Sequence, residues 1–131
     1  MEILSISIDS ESLGKLDSVQ KRLGFKSRSK LLRTAILSLL KDYETLESLS
    51  GSVESVFVLT YPETKKNNVS DMLHQFDSDI KTEMHHHHSN TGIDIINLET
   101  TAENTRRFFN ESKRNRSITS VVYSIVSSSN A

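Results

Sequence analysis

The chain of 131 residues has no cysteine and no tryptophan. Without cysteine there is no disulfide framework, no thiolate nucleophile and no Cys-based zinc site. Aromatic residues make up only 6% and apolar residues only 35%. A short chain with so little apolar mass gains from sharing a core between subunits, because small units bury a small fraction of their surface. No apolar run approaches the roughly 18 residues of a membrane helix, so no membrane span is expected. The opening M-E-I-L-S-I-S-I lacks a basic stretch followed by an uninterrupted apolar one, so no secretory signal is expected and the cytoplasm is the default compartment. No Ser-His-Asp arrangement, HExxH or glycine-rich phosphate motif is present, which argues against an enzyme.

Net charge is also nearly absent, at −1. Its distribution is uneven. Between Asp17 and Asp42 lie Lys21, Arg22, Lys26, Arg28, Lys30, Arg33 and Lys41, with no acidic residue among them. A local positive field is what a polyanionic partner meets, whatever the total. A solvated helix face is the plainer reading of the same stretch.

Residues 3–8 alternate, Ile3, Ser5 and Ser7 against Leu4, Ile6 and Ile8, which predicts a strand with one aliphatic face. Asp9 or Ser10 caps a helix over about 10–23, with Leu13, Leu16, Val19 and Leu23 in one stripe and Gly24 at its end. Ser27 caps a second helix over about 28–46, whose apolar stripe of Leu31, Leu32, Ala35, Ile36, Leu39 and Leu40 is wide enough for two surfaces. Around Gly51 the composition changes, placing a boundary between domains 1–50 and 51–131. The second half predicts a strand over 54–61 ended by Pro62, a polar loop over 63–68 and a helix over about 68–80. A strand follows at Glu83–His88, then one at Ile93–Leu98, a helix capped by Thr100 or Thr101 with Phe108 and Phe109 inward, and a strand at Ile118–Val126. The tail S-S-S-N-A is expected to be disordered. This order is an α+β, βαββαβ ferredoxin-like (ACT-like) unit, provided the histidine stretch is a strand.

One strand and two helices cannot close a core in about 50 residues, and a lone strand leaves both edges open. Two copies solve both problems by pairing their strands antiparallel. Leu4, Ile6 and Ile8 then face a shared core, and Ile3, Ser5 and Ser7 project from a two-stranded ribbon that fits a DNA major groove about 12 Å wide. At the second helix start, Lys26, Ser27, Arg28 and Ser29 crowd an end whose N–H groups attract anions. Ser27 is also a plain cap. Cations at the positive end of a helix dipole are misplaced unless a phosphate joins them.

The runs S-I-S-I-D-S-E-S-L-G-K-L-D and R-L-G-F-K-S-R-S-K-L-L-R strongly resemble the ribbon-helix-helix (MetJ/Arc/CopG-like) repressors over residues 2 to about 45. With the linker near Gly51, the ferredoxin-like unit and the histidine run, the chain resembles the NikR nickel-responsive regulators. That resemblance implies a homodimer through the ribbon and a homotetramer through the C-terminal domains. It also implies base reading by Ile3, Ser5 and Ser7, and a phosphate clamp around Ser27 and Arg28 in a double-stranded DNA operator. Ile3 stands where family members often carry a larger polar or basic residue, so direct readout rests on two hydroxyls and an apolar contact.

His85, His86, His87 and His88 form the sharpest motif. On a strand they offer two same-face pairs, and imidazole suits divalent nickel, copper, zinc and cobalt. The resemblance implies nickel, with His85 matching the first ligand position. At the family spacing, Ile96, Leu98 and Asn104 stand where two histidines and a cysteine belong, so the site is incomplete. Asp94 and Asn97 are the nearby donors. The run then has three readings: a weak metal site completed by water, Asp94 or a neighbouring subunit's histidine; a structural remnant at a subunit interface; or a pH sensor. His74 reads as a structural histidine. Lys30, on a helix face with Thr34, argues against the second cation site that the resemblance implies there. The expected function is a DNA-binding transcriptional regulator, a repressor, modulated by a transition metal or other ligand. The alternative is a ribbon-helix-helix antitoxin that binds an operator with no metal response.

Overall fold

The computed structural model describes residues 1–129. It resolves into two compact units, Met1–Glu44 and the remainder from Thr45. In the first, α1 (Ser10–Leu23) starts at Asp9, whose carboxylate accepts from the Ser12 N–H at 3.0 Å. It ends where Gly24 turns left-handed at φ 74°, a conformation glycine adopts without a Cβ penalty. The helix α2 (Arg28–Ser48) is capped by Ser27, whose Oγ accepts from the Lys30 N–H at 3.1 Å. Both helices stand where the apolar spacing predicts them, with α2 two residues longer than expected.

Residues 3–8 were expected as a strand. Within the single chain they form no strand, because nothing among the described residues pairs with them. Leu4, Ile6 and Ile8 are 80%, 66% and 45% exposed. The aliphatic set that the alternation assigns to a core is therefore uncovered in one copy.

The second unit is a four-stranded sheet backed by two helices. Its strands are β1 (Ser52–Pro62), β2 (Ile80–His88), β3 (Thr91–Thr101) and β4 (Ser120–Ser129). Their order is β2-β3-β1-β4, each neighbour antiparallel. With α3 (Lys66–His74) between β1 and β2, and α4 (Ala102–Arg114) between β3 and β4, this is the expected βαββαβ ferredoxin-like arrangement. On β1, Val53, Ser55, Phe57, Leu59 and Tyr61 are buried in strict alternation, the period of a strand with one covered face. Phe57, Phe76 and Phe108 meet edge to face at the centre of the core, with ring centroids 4.7 and 4.9 Å apart. Phe108 is fully buried, and Phe109 packs partly buried beside it.

Several boundaries differ from expectation. The segment 63–68, expected as a loop, is a 3-10 turn at Glu63–Lys65 that runs into α3. The helix expected to reach residue 80 stops at His74. Phe76 anchors the turn in the core, and its carbonyl accepts from the N–H groups of Asp79 and Ile80, so Ile80 opens β2 instead. The apolar spacing Phe76–Ile80 suits a helix and a tight turn equally. β4 starts two residues later than expected and runs further. Ser127, Ser128 and Ser129 pair with Glu54, Val53 and Ser52, so the expected disorder does not hold for them. Ladder bonds are made by main chain, which a serine supplies as well as a valine. Asn130 and Ala131 lie outside the described residues.

The last turn of α2 belongs to the second unit. Leu46 is buried there, and Arg106 of α4 donates to the carbonyls of Leu46 and Leu49, both at 3.0 Å. No helix among the described residues is long and apolar enough to cross a membrane.

Candidate DNA interface and the histidine cluster

The N-terminal candidates are all at the surface. Ile3, Ser5 and Ser7 are exposed, as are Lys26, Ser27, Arg28 and Ser29. The link between the helices is held by main chain: the Gly24 and Phe25 N–H groups donate to the Lys21 and Gln20 carbonyls, and the Gln20 amide donates to the Phe25 carbonyl. Ser27 is committed to its cap. Arg28 is committed too, in a way sequence reasoning missed. Its Nε and one terminal nitrogen donate to the two carboxylate oxygens of Asp17 at 2.8 and 2.9 Å. The fork holds the Asp17 carboxyl below its ordinary range, chiefly through that hydrogen bond, and raises Arg28 for the same reason. The signal available was an acid on α1 and a base at the start of α2, eleven residues apart.

Lys30 and Thr34 share a helix face as expected, with the Thr34 hydroxyl donating to the Lys30 carbonyl at 2.9 Å. His74 is exposed at the end of α3.

The histidine run does lie on a strand. His85 and His87 point to the helix side of the sheet, and His86 and His88 to the open side, by strand alternation. Only His85 is partly buried. It pairs across β2 and β3 with Asp94. Its Nδ1 lies 2.6 Å from Asp94 Oδ1, and its Nε2 lies 3.2 Å from Glu63 Oε1. The Tyr61 hydroxyl sits 3.1 Å from Nδ1, and the Tyr61 ring stacks on the imidazole. Asp94, in an inward position between Gly92 and Ile96, is buried. The bond to Asp94 raises the His85 pKa above its ordinary value; burial opposes this, and Glu63 adds to it. Burial, then the hydrogen bond to Asp94, pushes the Tyr61 phenol upward. Gly92 completes the cluster. A Cβ there would stand 2.6 Å from Glu63 Oε2 and 2.7 Å from the Tyr61 ring. The alternation of β3 carried a signal for this site, because a carboxylate at an inward position needs a partner. Nothing local marked Glu63 or Tyr61.

The residues do not complete the nickel set that the resemblance implies. Ile96 and Leu98 are fully buried aliphatic side chains in the core. Asn104 lies in the first turn of α4, its N–H on the Thr101 cap and its amide on Thr100. Asn97 is on the opposite sheet face, its amide donating to Glu54. Both nitrogens of His85 are engaged, by carboxylates on opposite sides of the ring. Among the described residues, no group of three or more His, Asp or Glu side chains is arranged to hold a metal ion.

Residues 2–43 match the family model of ribbon-helix-helix proteins of the copG family. Over 101 residues, 73% of the chain, it is 28% identical to a protein of Methanocella arvoryzae, and over 87 residues, 64% of the chain, 29% identical to one of Methanococcoides burtonii. Both carry the name "Putative nickel-responsive regulator", and the matches span 71% and 62% of their lengths. The solved structure of an uncharacterized protein, TM1266 from Thermotoga maritima, superposes on 58% of the chain and 99% of its own, with a TM-score of 0.54 at 14% identity, a likeness of fold alone. The fold and the N-terminal segment thus define a ribbon-helix-helix protein joined to a ferredoxin-like α+β unit. Residues 2–43 carry the ribbon-helix-helix segment of the copG family, a DNA-binding regulator class, and the longer matches resemble proteins named as nickel-responsive regulators.

Proposed function

We propose that the chain is a sequence-specific repressor that binds an operator as a homodimer through residues 3–8, in the cytoplasm, with residues 1–50 as the DNA-binding domain and 51–131 as a regulatory and oligomerisation domain. One observation carries this reading. Within a single copy, Leu4, Ile6 and Ile8 are uncovered and unpaired while the alternate set Ile3, Ser5 and Ser7 is also free. A second copy satisfies the main-chain groups and covers the first set, and double-stranded DNA meets the second. Lys26, Ser27, Arg28 and Ser29 then lie where phosphates flank the ribbon.

Further association through the second unit is supported by its open sheet face. Met84, Ile95, Val58 and Val122 stand in register across all four strands, and Met84 and Val122 are 63% and 60% exposed. Joining two ribbon dimers in this way raises the effective concentration of the second half-site once the first is bound. A ligand that favours one arrangement of the assembly then tunes DNA affinity. A transition metal is the reading carried by His85–His88. Here the exposed His86 and His88, which share the open sheet face, are the available donors, because His85 is held by Asp94 and Glu63 and His87 contacts the Ser89 carbonyl.

Selection of bound sequences from a random duplex pool tests the operator reading. Ser5→Ala should change the preferred sequence more than the overall affinity. A uniform loss across sequences would count against the ribbon. Metal content after exposure to nickel, copper, zinc and cobalt, in wild type and in His86→Ala/His88→Ala, tests the metal reading, which falls if the wild-type protein retains none.

A further inference from the structure

We infer that Arg28 acts on DNA as a positioning residue, through Asp17, and not as a phosphate ligand. The inference rests on the DNA-binding reading above and deepens it. Arg28 is the first residue of α2, and Asp17 lies in the middle of α1. The guanidinium spends two donors on the carboxylate in a fork, the geometry that fixes orientation as well as distance. The two helices are joined by a link of four residues, Gly24–Ser27, anchored on α1 by three hydrogen bonds: two from backbone N–H groups and one from the Gln20 side chain. The fork adds a cross-link between the body of α1 and the first turn of α2.

What it orients is an anion-accepting end. Ser27 supplies its oxygen to the Lys30 N–H, and its carbonyl accepts from Leu31. The N–H groups of Arg28 and Ser29 precede these on the helix and point out of its start, where the dipole is positive. Lys26 and Ser29 flank that start, and both are exposed. A phosphate can be met there by main chain, Lys26 and Ser29 with the Arg28 guanidinium held on Asp17. The Asp17–Arg28 pair is electrically balanced, so it adds no net charge to be neutralised by DNA.

Two other roles for the pair give opposite results in one experiment. If Arg28 binds a phosphate directly, it releases a counterion, and its loss flattens the plot of log affinity against log salt by about 0.9. If Asp17 holds Arg28 back from DNA, removing the acid strengthens binding. Full-length wild type, Arg28→Ala, Asp17→Asn and the exchanged pair Asp17→Arg/Arg28→Asp are titrated with mixed-sequence duplex DNA at several salt concentrations. Helical content is measured in parallel by circular dichroism.

Both single variants should bind about two- to fivefold more weakly, with unchanged salt slope and unchanged helical content. The exchanged pair should recover affinity. A slope lowered by about one in Arg28→Ala overturns the inference, as do tighter binding by Asp17→Asn and full affinity in both single variants. A wild-type chain that shows no salt-dependent binding overturns the parent reading instead, and the inference with it.

Discussion

The imidazole of His85 sits between two carboxylates, with Nδ1 2.6 Å from Asp94 Oδ1 on one side and Nε2 3.2 Å from Glu63 on the other. Its protonated form can donate to both at once, whereas a neutral ring has one N–H and must face one carboxylate with a lone pair. The cluster therefore binds β2 to β3 and to the exit of β1 most strongly when the histidine is charged.

Because the folded state raises the His85 pKa, its stabilisation is complete below the ordinary histidine value of about 6.5 and is lost as pH rises through the higher folded-state value. Thermal unfolding followed from pH 5 to 9 should show this contribution declining across that window. Asp94→Asn removes the largest cause of the shift and should flatten the profile there. A profile in Asp94→Asn identical to wild type would remove the pair as its source.

Gly92→Ala should lower stability by about 1–3 kcal/mol. The added methyl meets the Tyr61 ring, which is packed in the core and cannot give way, as well as the tip of Glu63. Denaturant unfolding of the variant measures the loss. Pairing it with Glu63→Ala separates the two contacts, since relief by the second change would assign the clash to the carboxylate.

Arg106→Ala should free the end of α2. The side chain donates to the Leu46 and Leu49 carbonyls at the end of the helix, where carbonyls run short of intrahelical donors, and the Leu46 carbonyl also accepts from the Leu49 N–H. Loss of two part-buried, charge-assisted bonds should cost about 1.5–3 kcal/mol. Hydrogen exchange should accelerate at the Leu49 N–H, which donates to Leu46, before it does in the sheet.

Ser89→Gly should stabilise the β2–β3 hairpin by up to about 1 kcal/mol. Ser89 holds φ at 53°, in the left-handed region, where a Cβ is penalised and glycine is not. The contacts of this turn, from His87 to the Ser89 carbonyl and from the Glu63 N–H to the Asn90 carbonyl, use main-chain oxygens that glycine leaves intact. Thermal unfolding compares the two proteins, and a lower midpoint in the variant would refute the strain.

The helices of the first unit and the alternation of the strands were readable in advance because they depend on neighbours three, four or two residues away. Asp9, Ser27 and Thr101 cap helices through bonds spanning three residues, so a short window contains both partners. Gly24 ends α1 for a reason confined to its own φ. The end of α3 was not readable, because the Phe76–Ile80 spacing fits a helix and the observed turn alike. The reach of β4 was hidden for another reason: its last serines are recruited by the main chain of β1 rather than by burial.

The candidate DNA positions also follow from local pattern, since a period of two sorts Ile3, Ser5 and Ser7 from Leu4, Ile6 and Ile8 without knowledge of the fold. The partners of Arg28 and His85 do not. Asp17 is eleven residues from Arg28, and Glu63 is 22 from His85. Such pairs exist only once a turn has set two helices or a register has aligned strands, and a slip of one residue in β2 would carry His85 to the other face, away from Asp94. Local chemistry thus dictated most of the elements. Which charges remain exposed, and which are already spent inside the chain, depended on long-range geometry that no short stretch of residues contains.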